Sequence, residues 1–180
     1  MRRRKDLTVH TLLLVVGEEV DRQLEPHHQF VLPREVLVQP DEIEGMSEHY
    51  GLPASDTEAL LAKIAEYFGE PGALRDGKLY RRSNQNPDGK FDWYRIGGRW
   101  EGFLRLSALQ ASGVSRARKS EIDHAALLAD PPGALLFRGE WRESPISFSP
   151  ESLEPWCAEF ARAFAAIPDG EMLTVVDIHS

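Results

Sequence analysis

The sequence predicts an α+β fold: a mainly antiparallel sheet with helices packed on one face, a two-layer sandwich. Three observations carry this expectation. Strand-like segments are spread along all 180 residues, while helical patterns are few. The first and last strands, Leu7 to Val16 and Met172 to Ile178, are strongly apolar and read as neighbours at the sheet centre. A helical pattern from Ser152 to Ile167 carries one apolar face suited to packing across that sheet.

In chain order, Leu7 to Val16 is apolar and β-branched almost throughout, as a central buried strand should be. Glu18 to Pro40 is irregular, with one further strand within Phe30 to Val38. Ser55 is placed to cap a helix over Asp56 to Phe68, with Leu60, Leu61, Ile64 and Phe68 as its stripe and Gly69 and Pro71 as its stop. Lys78 to Arg82 and Phe91 to Leu106 supply strands. Ser120 is placed to cap a short helix over Glu121 to Ala129, and Ala134 to Arg142 reads as a hairpin or paired strand. In the last helix Leu153, Trp156, Cys157, Phe160, Phe164 and Ile167 share a face, which makes Cys157 a buried, inert thiol. Pro155 is tolerated there as a first-turn residue.

Length and composition fit one globular domain over residues 1–180. A hydrophobic fraction of 42% with 28% charged residues is ordinary for such a domain. The basic run Arg2-Arg3-Arg4-Lys5 reads as a disordered tail over residues 1–6. Net charge is −8, and without those four basic residues the remainder carries 17 basic against 29 acidic groups. A body that acidic repels duplex nucleic acid. No apolar run is long enough for a membrane span and no signal-peptide pattern follows the tail, so a cytoplasmic protein is expected. One cysteine excludes an intrachain disulfide and a cysteine-based zinc site.

The densest chemistry lies in Asn84 to Gly102, reading N-Q-N-P-D-G-K-F-D-W-Y-R-I-G-G-R-W-E-G. Asn86-Pro87-Asp88-Gly89 suits a type I turn. Phe91 to Ile96 reads as a short strand, with Phe91, Trp93 and Arg95 on one face and Asp92, Tyr94 and Ile96 on the other. Gly97-Gly98 permits positive φ and an anion-binding concavity of consecutive N–H groups. Arg99 beside it is a planar fork for carboxylate or phosphate, and Trp100 offers a stacking face. Asp92, Trp93, Tyr94, Gly97, Gly98, Arg99 and Trp100 are therefore the candidate ligand-binding residues. A tight hairpin whose tryptophans fill the core explains the same residues.

The string NPDGKFDWYRIGGRWEGF resembles the signature of an uncharacterised family found in bacteriophages and actinobacterial genomes. That family shows an NPxxKxDWYxIGGRWxG-like core and a C-terminal LTVVDxH-like strand, matched here by Leu173 to His179. A looser R-K-x-x-I-D-like match covers Arg118 to Asp123. Family members often carry a Gly- and Trp-rich segment where this chain reads Gly139-Glu140-Trp141-Arg142-Glu143-Ser144, with half of the pattern missing. The resemblance implies a phage-associated or mobile-element setting and no chemistry.

The paired end strands place His10 near Asp177 and His179, which lie two apart and so share a face. These three fit a two-His, one-carboxylate metal set or an acid–base pair. An exposed strand end explains them equally. His27, His28 and His49 read as exposed. There is no P-loop, nucleophile elbow, HExxH helix, EF-hand loop or dinucleotide fingerprint.

Three function classes follow. A binding module would hold a small anionic or nucleotide-like molecule at the DWYRIGGRW segment. A small hydrolase or transferase would use Asp177 and His179 as catalytic residues, with Asp92 as a further carboxylate and Arg99 to neutralise charge. A protein-interaction module would present the Gly/Trp-rich segment to a partner such as a host protein. No cofactor is expected, although a divalent metal would suit His10, Asp177 and His179.

Overall fold

A computed structural model of the chain describes residues 10–69, 71–108, 113–145 and 150–180. The basic tail and the first three residues of the expected opening strand lie outside them. The chain packs as two compact units, Phe30–Pro87 and the remainder on either side of it.

In the larger unit β1 (His10–Val16) is followed by α1 (Val20–Leu24). The inserted unit holds β2 (Phe30–Leu37), α2 (Pro40–Tyr50), α3 (Thr57–Phe68), β3 (Ala73–Arg75) and β4 (Lys78–Gln85). The larger unit resumes with β5 (Trp93–Ile96), β6 (Leu104–Arg105), β7 (Gly113–Val114), β8 (Arg116–Arg118) and α4 (His124–Ala129). It closes with β9 (Ala134–Phe137), β10 (Glu140–Glu143), α5 (Pro150–Ala165) and β11 (Met172–His179).

The main sheet has the order β10-β9-β1-β11-β5, with β8 also on β11. β1 and β11 are antiparallel neighbours over seven pairs, from His10 opposite His179 to Val16 opposite Leu173. β9 joins β1 in parallel, and the remaining pairs are antiparallel. β9 and β10 form a hairpin whose two loop residues, Arg138 and Gly139, both have positive φ, the primed-turn geometry that matches strand twist.

The α+β expectation holds. Leu12, Leu14 and Val16 of β1 and Leu173 and Val175 of β11 pack against Trp156, Phe160, Phe164 and Ile167 from the helical layer. The alternate residues Leu13, Val15, Val176 and Ile178 face Val20 and Leu24 of α1 together with Phe91. Burial on both faces is why β1 reads as a continuous apolar run.

The α5 seam differs from the expected stripe. Ala163 is buried, whereas Cys157 is exposed and Leu153 is 40% exposed. At 100° per residue Cys157 and Ala163 flank Phe160 on opposite sides. The helix rolls toward Ala163, because a small residue lets it approach the sheet closely, and this turns the thiol out. The helix also starts at Pro150, so Pro155 lies beyond its first turn.

Two caps sit one to three residues from their expected positions. Asp56 caps α3 by accepting from the Ala59 N–H at 3.2 Å, displacing Ser55. Asp123 caps α4 by accepting from the Ala126 N–H at 3.0 Å, and Lys119–Glu121 form a separate 3₁₀ turn.

The inserted unit has the sheet order β2-β4-β3 and a small core of Val38, Leu60, Ile64 and Leu79. α2 is absent from the sequence expectation. Its starting signals are Pro40 in the first turn, a Gln39/Glu42 capping box and Gly51 at φ 65° as the stop. None of its residues is fully buried, and Ile43 and Met46 pack only partly buried against that core, so its apolar stripe is thin.

Candidate active site at the end of the central strands

On the face covered by the helical layer, the described core reaches Leu12 on β1 and Val175 on β11. Beyond them, alternation along β1 and β11 carries His10, Asp177 and His179 onto the same face. β5 pairs His179 with Trp93 and Asp177 with Arg95, so those two side chains join that face.

Two histidine–carboxylate pairs result. His10 Nδ1 lies 2.8 Å from Asp177 Oδ1. His179 Nδ1 lies 2.7 Å from Asp92 Oδ1. The two imidazoles meet edge to face with centroids 5.2 Å apart, and His10 also meets the Trp93 ring at 6.4 Å. An ionised carboxylate only accepts, so each Nδ1 carries a proton. Each Nε2 is then a lone pair on a neutral ring or a donor on a protonated one. Rings held by carboxylates are what a proton-transfer pair needs, and the His10 and His179 side chains are 18% and 24% exposed.

Asp177 is 2% exposed, and its second oxygen accepts the Arg99 backbone N–H at 3.1 Å. The glycine pair makes this possible. Gly97 and Gly98 have φ of 72° and 54°, and Gly97 donates its N–H to the Val175 carbonyl. A Cβ at Gly98 would lie 2.3 Å from the Asp177 Cβ, and one at Gly97 would lie 2.7 Å from the Ser115 Oγ. The anion held by this loop is therefore the protein's own Asp177 carboxylate.

The other expected ligand-binding residues separate into two groups. Tyr94 faces the opposite side of the sheet, and its hydroxyl donates to Asp21 Oδ1 at 2.7 Å. That bond, with burial and the nearby charge, pushes the phenol up to about 12. Trp100 is half-buried against the helical core. Both are structural. Trp93, by contrast, is 48% exposed, and the side chains of Arg95 and Arg99 are also exposed. Phe91 departs from the expected strand face. The chain bends at Asp92, and Phe91 is buried with Tyr94 and Trp141 on the far side.

Arg116 pairs with Glu18, and Lys119 is buried, donating to the Ile167 carbonyl at 2.6 Å. His27 and His28 are half-buried against Trp141 and Phe91 rather than exposed, and burial beside Lys90 lowers His27. His10 and Asp177 direct their facing atoms at one another. Among the described residues no group of three His, Cys, Asp or Glu side chains is arranged to hold a metal. No helix among them is long and apolar enough to cross a membrane.

Sequence reading leaves Arg95 out of the candidate residues and does not pair Asp92 with His179. The signal for Arg95 is its spacing of two from Trp93. The Asp92–His179 bond needs the register between β5 and β11, which no local pattern contains. No family model, curated protein or solved structure matches the chain.

Proposed function

We propose that the chain is a small hydrolase or transferase acting on a small anionic, nucleotide-like substrate by general acid–base catalysis. The observation that carries this reading is the abutting pair of histidine–carboxylate dyads, His10–Asp177 and His179–Asp92, on one sheet face. One imidazole takes a proton from the attacking group and the other gives one to the leaving group. Asp177 and Asp92 hold the rings and stabilise the charge each ring gains. Arg95 and Arg99 offset charge that builds on the substrate, and Trp93 supplies a face for a ring.

A burial argument supports the same reading. A carboxylate as buried as Asp177 is costly unless it is fully hydrogen-bonded. Here a strained two-glycine turn and a histidine satisfy it, at a place where packing alone would use an apolar residue. A second reading, binding without turnover, is favoured by one observation: Trp93 and Arg95, which share a sheet face, and Arg99 are all exposed.

The test is turnover of a panel of nucleotides and phosphoesters by the intact protein, His179→Gln and Asp177→Asn. Each substitution is expected to slow turnover by about 100-fold or more while substrate still binds. Equal rates in all three proteins contradict the acid–base reading. Binding by all three with no turnover leaves the binding module.

A further inference from the structure

We infer that the substrate is a short ribonucleotide phosphodiester whose own 2′-hydroxyl is the attacking group; this rests on the acid–base reading of the two dyads. Among the described residues neither histidine is hydrogen-bonded to a serine, threonine, cysteine or lysine, and each Nδ1 faces a carboxylate. Among the described residues the site thus offers two proton carriers and no hydroxyl, thiol or amine hydrogen-bonded to them. The nucleophile arrives as water or as part of the substrate. A hydroxyl held next to the phosphorus has an effective molarity of about 10⁵–10⁸ M, far above that of water, and its reaction needs one base and one acid.

The surroundings fit such a molecule. Trp93 is 48% exposed on the face of the dyads and touches the His10 ring edge, so a base stacked on it leaves its phosphodiester near the imidazoles. Arg95, opposite Asp177 in the β5–β11 register, and Arg99 just beyond β5 are exposed forks suited to phosphate oxygens. A net charge of −8 disfavours a long polyanion and selects a short one.

In the step itself the 2′-oxygen forms a bond to phosphorus and the bond from phosphorus to the 5′-oxygen breaks. The neutral imidazole takes the 2′-hydroxyl proton at Nε2. The imidazolium gives its Nε2 proton to the departing 5′-oxygen. The products are a 2′,3′-cyclic phosphate and a free 5′-hydroxyl, and nothing is oxidised or reduced.

The experiment follows phosphorus NMR of the full chain with the dinucleotide UpA, its 2′-deoxy counterpart and bis(4-nitrophenyl) phosphate. His10→Gln and His179→Gln proteins purified in parallel control for contaminating nucleases. The expected result is a cyclic phosphate from UpA, at least about 1000-fold slower loss of the deoxy compound, and about 100-fold loss of rate in each variant. Trp93→Ala is expected to raise KM for UpA about tenfold with little change in kcat. Equal cleavage of both dinucleotides, or turnover of the nitrophenyl ester alone, overturns the substrate assignment while leaving the dyads as the acid–base pair. No turnover of any ester overturns the substrate assignment together with the acid–base reading.

Discussion

Asp177 is the residue on which the site turns, and Gly98 is the residue that allows it. The carboxylate is closed in by the Gly97-Gly98 turn, so adding one methyl group at Gly98 tests the arrangement. Gly98→Ala meets both a left-handed backbone and a Cβ clash with Asp177. It is expected to cost roughly 2–4 kcal/mol in denaturant unfolding. Gly139 also has positive φ but opens onto empty space, so Gly139→Ala should cost only about 1 kcal/mol. Equal costs would mean that packing on Asp177 contributes nothing. At this scale the sequence was informative about types and uninformative about partners. A glycine pair between two tryptophans announced positive φ. Nothing local announced that the turn would hold Asp177 rather than a ligand, because that contact spans 78 residues. Arg99 was read for its guanidinium, and its backbone N–H turned out to make the buried bond.

At the scale of elements, the pairing of β1 with β11 was legible because strands buried on both faces cannot hide their apolar content. α2 was less legible, because its stripe of Ile43 and Met46 is short and only partly buried. The caps of α3 and α4 were misplaced because serine and aspartate compete for the same role, and an ionised oxygen near the helix start has the dipole in its favour. β11 is the element that most of the larger unit depends on. It pairs with β1 along one edge, and with β8 and β5 along the other. Removing the last eight residues exposes apolar strand faces on β1 and deletes both Asp177 and His179. Such a protein is expected to lose its cooperative thermal transition in circular dichroism. An unshifted melt would contradict the central place given to β11.

At the scale of the molecule, the division into two units left no mark in composition, since the junctions near Gln29 and Asp88 are ordinary polar chain. The structure offers a reason the insertion is tolerated. The strands leading into and out of it are tied together within the larger unit by the Gln29 N–H to Phe91 carbonyl and Lys90 N–H to His27 carbonyl bonds, both 2.7 Å. A chain in which Phe30–Pro87 is replaced by a short Gly/Ser linker is expected to unfold cooperatively, with the two dyads intact. A shortened chain without a cooperative transition would show that the larger unit needs the insertion to fold.

The proposed chemistry requires that carboxylates hold both histidines with Nδ1 protonated, leaving Nε2 to carry the transferred proton. Nitrogen-15 NMR of the imidazoles in the full-length protein, above the pH at which both rings are neutral, reads this directly. Nδ1–H tautomers are expected at His10 and His179, reverting toward the Nε2–H form preferred in water when Asp177 or Asp92 is changed to Ala. Nε2–H tautomers at both rings in the unaltered protein would contradict it.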